Sequence, residues 1–280
     1  MANWLPANGP LRDALLARLL ESPLDYRHAL GILDPQYQEW RAEGKPEHEL
    51  VFVNDVPLLM VKSDGVCLVL GEPDDAGARA IVGFLSHRDI NELHLLGQTE
   101  FRALKPYLAS GQWRCSRNYG VTAAAFRPRP SACVRKLGPE DRDIFERACA
   151  TLEGFRESRS MARDSDLMAK GFAVSCYGAF AGENLVGFCS ANPMCRGVTE
   201  ISSLEVASQH RRRGMASAML TAHAQEAFAR GEAVGYHAGS AGDDLDAMLL
   251  KLGFRELKAS YRFIPSSSPD QWRTIWGRPV

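Results

Sequence analysis

The stretch "EISSLEVASQHRRRGMASAMLTAHAQEAFARG", residues 200–231, constrains the fold more than any other. It opens as a strand, crosses three consecutive arginines and becomes a helical repeat. Ala216, Leu220, Ala224, Ala227 and Phe228 fall on one face at helical spacing. Such a face packs on a sheet, and Gly231 is placed to stop the helix. The arginines need a reason. The first N–H groups of a helix have no partner inside it and sit at the positive end of its dipole. Cations there are unfavourable by about 0.3–1 kcal/mol each. A bound polyanion reverses the sign, because each charge-assisted hydrogen bond to it contributes about 1.5–3 kcal/mol. Gly214 and Ala216 keep the turn open to close approach. The junction therefore reads as a seat for a pyrophosphate.

The elements around it alternate between strands and helices, the pattern of an α/β protein. Up to about residue 49 the chain reads as helical, broken by Pro23, Pro35 and Pro46. "ELVFVNDVPLLMVKSDGVCLVLGE" reads as strands turning at Ser63-Asp64-Gly65. A helix over "DDAGARAIVGFLS", a strand over "INELHLLG", a helix capped by Thr99 and a strand over "YGVTAAAFRP" follow. "RPRP", residues 127–130, marks the expected domain boundary, because two prolines stiffen the chain and disfavour helix before them. Domains are thus expected at 1–130 and 131–280. Beyond the boundary the order is strand, helix over "GPEDRDIFERACATLEG", helix over "ESRSMARDSDLMAKGF", and a hairpin turning at Gly182-Glu183-Asn184. The strand and long helix of the opening stretch come next. A strand over "AVGYHAGSAG", a helix ending at Gly253 and a last strand over "RELKASYRFIP" complete the pattern.

Composition narrows the function. The net charge of -1 over 280 residues lacks the basic excess of a dedicated nucleic-acid binder. Seven scattered cysteines, none at Cys-x-x-Cys spacing, disfavour a zinc site and a disulfide framework alike. No metal is expected. No apolar run is long enough to span a membrane, and the N-terminus lacks the features of a secretory signal. A cytoplasmic protein with no membrane and no nucleic-acid partner is the expectation, as monomer or homodimer.

Arg211-x-x-Gly214-x-Ala216, following "SLEVASQH", resembles the acyl-CoA signature of the GNAT superfamily of N-acyltransferases. "LLKLGF", residues 249–254, resembles that family's second motif. One strand separates the two, in the family's order. The likeness covers residues 131 to about 264 and is greatest to bacterial two-domain members with a long N-terminal half. It implies a mixed, mostly antiparallel, splayed sheet flanked by helices, and a co-substrate, acetyl-CoA. The N-terminal α/β domain is then expected to be a degenerate GNAT-like half, with no second Arg-x-x-Gly-x-Ala and no second CoA site. The resemblance implies that the amides of Arg212, Arg213, Gly214, Met215 and Ala216, with the Arg211 and Arg213 side chains, cradle the pyrophosphate. The main chain of Leu204, Glu205 and Val206 would pair with the pantetheine arm in the gap of the sheet.

The implied reaction is attack of a small primary amine on the thioester in a ternary complex. For the general base Glu200 leads, eleven residues before Arg211, where the histone acetyltransferase branch carries a glutamate. A regular strand would put it on one face with Ser202, Leu204 and Val206, and Glu205 on the other unless a bulge intervenes. Glu205 competes, and His237 on the next strand is third, since an imidazole titrates near neutrality. Leu249 departs from the pattern, because many members carry there a tyrosine thought to protonate the departing thiolate. Tyr236, Tyr177 and Tyr261 are the residues that could replace it. The departure keeps a second reading open, a catalytically silent acyl-CoA-binding or regulatory module.

Overall fold

The computed structural model describes residues 4–6, 9–33, 48–62, 65–88, 90–108, 111–151, 175–239 and 243–265. The described residues form two compact units, those of 4–33, 48–117 and 258–265 and those of 118–257. Each is a mixed, mostly antiparallel sheet flanked by helices. The expected helix over "ESRSMARDSDLMAKGF" and the tail after residue 265 lie outside the described residues, as do Ser63 and Asp64 of the expected first hairpin turn.

In unit 1 the strands are β1 (Trp4–Pro6), β2 (His48–Val53), β3 (Val56–Val61), β4 (Val66–Val69), β5 (Glu92–Leu95), the first half of β6 (Gly111–Val121), and β13 (Ser260–Pro265). Their order is β1-β2-β3-β4-β5-β13-β6. Helices α1 (Gly9–Leu20) and α2 (Pro23–Leu33) precede β2 and pack on each other. β3 is buried along its whole length, as its run of apolar residues requires. Asn54 and Asp55 both have positive φ and turn β2 into β3, the two-residue geometry that suits the twist of paired strands. β4 pairs with β5 in parallel over all four of its residues, Val66↔Glu92 to Val69↔Leu95. The crossover between them is α3 (Asp75–Leu85), whose Ala78, Ile81, Val82 and Leu85 enter the core. α4 (Gln98–Leu104) begins one residue before Thr99, with Gly97 in the cap position, so Thr99 is not the cap. Phe101 stacks on Tyr261 and meets Trp113 edge-on, which ties α4 to β13 and β6.

Unit 2 comprises the end of β6, β7 (Val134–Leu137), β8 (Ser175–Ala181), β9 (Asn184–Cys195), β10 (Val198–Val206), β11 (Ala233–Gly239) and β12 (Arg255–Glu256). The order is β6-β11-β10-β9-β8-β7, with β12 paired to β6. β8 and β9 form the expected hairpin, with Gly182 in the left-handed region at its turn. Helix α5 (Arg142–Thr151) covers one face of the sheet, where Phe145 meets Phe188 edge-on at 4.9 Å. On the other face α6 (Met215–Ala229) buries Met219, Leu220, Ala224 and Ala227 against Cys189, Ala191, Ile201 and Val234. Burying a side chain such as Leu220 is worth about 1.5–3 kcal/mol. The far end of α6 is pinned by Glu226, which accepts hydrogen bonds from Lys136, Ser175 and Tyr177. Partial burial pushes that carboxyl up, but these hydrogen bonds outweigh it and hold it at about 2. Helix α7 (Asp243–Lys251) follows β11.

The boundary lies elsewhere than expected. "RPRP" is no linker: Arg127 N–H donates to the Leu252 carbonyl, and Arg129 N–H to the Thr221 hydroxyl, both at 2.9 Å. Those bonds hold residues 127–130 within unit 2, which begins at Asn118. The strand expected over "YGVTAAAFRP" runs earlier, ending at Val121, and Thr122–Ala125 make a turn. That turn demands Gly253 at φ +88°, where any Cβ would run into the Ala125 carbonyl. The last strand, expected within the second domain, belongs to unit 1: β13 pairs with β5 and with the first half of β6.

Candidate active site

The site is built where β10 parts from β11. The two strands pair in parallel at Val198↔Ala233, Thr199↔Val234, Glu200↔Gly235 and Ile201↔Tyr236, and there the pairing ends. On its other edge β10 stays paired with β9 as far as Val206↔Gly187. Beyond Ile201 the β11-facing edge of β10 therefore opens into a gap. The splay expected of this sheet is present at the expected strands.

A bulge decides which side chains face which way. The register with β9 slips between Ile201 and Ser203, leaving Ser202 as the extra residue. One extra residue reverses the alternation that follows. Ile201, Leu204 and Val206 consequently share the α6 face and join its core. Glu200 and Glu205, paired with Asn192 and Phe188, share the opposite face. This corrects the regular-strand expectation that grouped Glu200 with Leu204 and Val206. The sequence carried a signal: the apolar positions 201, 204 and 206 break a period of two at the bulge. Ser202 itself accepts from Asn192 and shares a hydrogen bond of 2.9 Å with Ser190.

The gap leads into a cleft of about 990 Å³. β10 contributes Leu204, Glu205 and Val206, β11 contributes Tyr236, and α7 contributes Asp244, Leu245, Met248 and Lys251, with Leu252 just after it. The turn before α6 supplies His210 to Ala216. Arg129, Pro130 and Ser131 close one rim, which reading Arg129 and Pro130 as part of a boundary missed. All predicted CoA residues line this one cleft. Of the predicted catalytic residues Glu205 does, whereas Glu200 and His237 are not among its lining residues.

The turn has the shape of an anion seat. Arg212 has φ +62° and Gly214 φ +79°, with Arg213 between them outside that region. Such alternation aims successive N–H groups to one side. No side chain caps the first turn of α6, and nothing lies within 4 Å of where a Gly214 Cβ would stand. A non-glycine residue in the left-handed region costs about 1–2 kcal/mol, so Arg212 marks a conformation held by its surroundings. Nothing in the sequence announced it. The three arginines also divide their work. Arg211 Nε donates to the Val206 carbonyl at 2.9 Å, which ties the turn to the end of β10. Arg212 pairs with Asp244 of α7 at the surface. The Nδ1 of His210 is buried without a hydrogen-bond partner.

Electrostatics distinguish the acid–base candidates. Burial pushes the Glu205 carboxyl above the usual range, partly offset by Arg211. Glu200 is 8% exposed and stands level with Gly235, one residue before the strands part. His237 is exposed on the face opposite Tyr236, and its Nδ1 lies 3.0 Å from the Asn118 side-chain oxygen. Leu249 is fully buried in the core beneath the cleft. Among the described residues no cluster of three or more metal-ligating side chains occurs, and no described helix is long and apolar enough to cross a membrane.

Residues 142–254 match the model of the acetyltransferase (GNAT) family. No curated protein sequence matches the chain. Among solved structures, a Drosophila protein is 16% identical, with 96% of this chain and 100% of that one covered at a TM-score of 0.59. A GNAT-family acetyltransferase from Colwellia psychrerythraea is 12% identical, with 94% and 100% covered at 0.57. A tandem GNAT protein from the clavulanic acid biosynthesis pathway is 14% identical, with 96% and 99% covered at 0.50. At these identities the likeness concerns the fold. Matched by family model, motif and splayed sheet together, residues 142–254 are an acetyltransferase domain of the GNAT family.

Proposed function

We propose that unit 2 transfers an acetyl group from acetyl-CoA to a primary amine of a small acceptor, by direct attack in a ternary complex. The parting of β10 from β11 above an uncapped, arginine-flanked turn is the observation that carries this reading. A diphosphate on the turn would meet the amides of residues 212–216 and the Arg213 side chain, with Arg211 holding the turn in place and presenting its remaining N–H groups. An extended amide-bearing arm laid in the gap would find the main chain of Leu204, Glu205 and Val206. Its thioester end would then lie near Ile201 and Tyr236, where the gap closes.

Placement does most of the work in such a reaction, worth roughly 7–11 kcal/mol in favourable cases. The remainder is proton transfer. Glu200 stands level with the closing point, and we assign it as the base that takes the amine's proton. Glu205 lies on the same face but further towards the turn. Its raised carboxyl suits it to assist. His237, already held against Asn118, is ranked behind both.

We further propose that unit 1 is a degenerate GNAT-like half without a CoA site. Support comes from its order of elements, which repeats that of unit 2: antiparallel strands, a crossover helix, a parallel strand and a short helix. The tandem GNAT structure, alike over 96% of the chain, points the same way. The six described cysteines are all free thiols, which fits a reducing cytoplasm. The acceptor is expected to meet the enzyme as monomer or homodimer.

Calorimetry with acetyl-CoA, followed by thiol release over a panel of primary amines, tests the assignment. Binding with turnover on at least one amine is expected, and Glu200→Gln should lower kcat about 10²-fold or more. Absence of binding overturns the reading. Leu249 favours one alternative, since α7 presents no donor there. Tight binding with no turnover on any amine would make unit 2 a silent acyl-CoA-binding module.

A further inference from the structure

Breaking a thioester leaves an electron pair on sulfur, and that thiolate needs a hydrogen-bond donor or a proton. Where helix α7 faces the cleft core, Leu245 and Met248 are apolar and Leu249 is buried; its one cation on the cleft, Lys251, is the helix's last residue, and Leu252 just beyond it is apolar. The cations of the rim stand at the other end of the gap. From Ile201 to Val206 the strand advances four steps once the bulge is discounted, about 13 Å at roughly 3.3 Å per residue. Arg211 and its neighbours lie beyond that.

Tyr236 is placed differently. It forms the last pair with Ile201 before the strands part, it lines the cleft, and it is 9% exposed. Its side chain belongs to the same core as Leu249 and Leu252, on the face of the sheet that α6 covers, and it borders the cleft from there. The other two tyrosines are disqualified. Tyr177 spends its hydroxyl on Glu226 and packs its ring edge-on against His223. Tyr261 is in unit 1, stacked on Phe101.

We propose that Tyr236 is the catalytic acid of this domain, its Oη donating to the thioester sulfur. The inference rests on the acyl-transfer reading. In the step, the amine nitrogen bonds the carbonyl carbon and the C–S bond breaks with its electron pair going to sulfur. The phenol proton passes to that sulfur, and the amine's proton goes to the glutamate. Transfer of that proton from the glutamic acid to the phenolate restores both groups, so amine and thioester become amide and thiol. Glu205, Arg211 and Cys189 are the titratable groups whose charge bears on the phenol or its neighbour. Burial foremost, then Cys189 and Glu205, pushes the phenol well above its usual range. It therefore carries its proton at any working pH.

The test compares wild type with Tyr236→Phe. Acetyl-CoA affinity by calorimetry is expected to agree within about twofold, because the removed hydroxyl plays no part in seating the pyrophosphate. Free CoA is then bound and its thiol titrated by thiolate absorbance. A donor at sulfur favours the thiolate, so the bound thiol should ionise at a pH about one unit lower in wild type than in the variant. Turnover on the best amine should fall about 10²-fold with KM for acetyl-CoA little changed. A 3-fluorotyrosine at position 236, nearly the same size and more acidic, should lower the thiol titration further. Identical thiol titrations, or an unchanged kcat, overturn the assignment and leave the cleft standing. Failure of wild type to bind acetyl-CoA removes the cleft and this inference together.

Discussion

In unit 1 the helix that follows the parallel-paired strand starts at Asp75, behind "GEPD". Asp74 Oδ1 accepts the Gly77 N–H at 2.7 Å, so a carboxylate of the chain itself occupies the helix N-terminus. In unit 2 the corresponding helix starts at Met215 behind "RRRG", and no side chain caps it. The strands differ in the same sense. β4 is paired with β5 along its whole length, whereas β10 leaves β11 after Ile201. One unit has satisfied its helix end and closed its sheet. The other leaves a positive helix end, flanked by arginines, beside an open strand edge. The teaching is physical: an unfilled helix terminus with cations around it is a cost in the free protein, about 0.3–1 kcal/mol per cation. Such a cost persists where a ligand offsets it.

The largest effect should come from taking the cations away. In Arg211→Ala with Arg213→Ala, loss of two charge-assisted hydrogen bonds at about 1.5–3 kcal/mol each predicts acetyl-CoA affinity lower by roughly 10²–10⁴-fold. Arg211 also ties the turn to Val206, so the loss should sit towards the upper part of that range. Calorimetry decides, and unchanged affinity would remove the pyrophosphate assignment.

A smaller loss is expected from rebuilding unit 1's solution inside unit 2. Gly214→Asp puts a carboxylate at the N-cap of α6. Asp tolerates the left-handed region better than most residues, and the space for its Cβ is open. At about 5 Å and an effective dielectric of 20, two like unit charges repel by roughly 3 kcal/mol. Acetyl-CoA binding should weaken about 100-fold, with a lower melting temperature, because a non-glycine residue at φ +79° is strained by about 1–2 kcal/mol. Affinity equal to wild type would show that the turn is not where the phosphates sit.

Much of this contrast was legible in the residues, and the rest was hidden for identifiable reasons. The strand, turn and helix of residues 198–229 announce themselves through charge and helical spacing, with Gly231 marking the helix's stop, as Gly253 marks that of α7. The Ser202 bulge was visible only as a phase change in three apolar positions, and overlooking it placed Glu200 and Glu205 on opposite faces. Reading "RPRP" as a linker followed from composition. The two backbone hydrogen bonds that hold it beside the cleft depend on partners 92 and 125 residues away, Thr221 and Leu252, which no local pattern encodes. The left-handed Arg212 likewise follows from tertiary context. Placing Tyr236 at the closing point of the gap requires the register of two strands separated by a helix. Local grammar pointed to the proposed anion seat, whereas the proposed acid could be named only from the pairing of strands.

The smallest expected effect tests unit 1 by itself. Removing a helix cap costs about 1 kcal/mol, so Asp74→Ala should lower stability by about that amount in chemical denaturation. The freed Gly77 N–H then sits at an uncapped helix end, superficially like that of α6. Yet Asp75 remains in the first turn, the "GEPDDAGARA" stretch brings no arginine ahead of the helix, and β4 stays closed against β5. Acetyl-CoA stoichiometry in the variant should therefore remain one per chain. A second site appearing by calorimetry would mean that the carboxylate alone had kept unit 1 from binding, and that the arginines and the open strand edge of unit 2 are less necessary than their geometry argues.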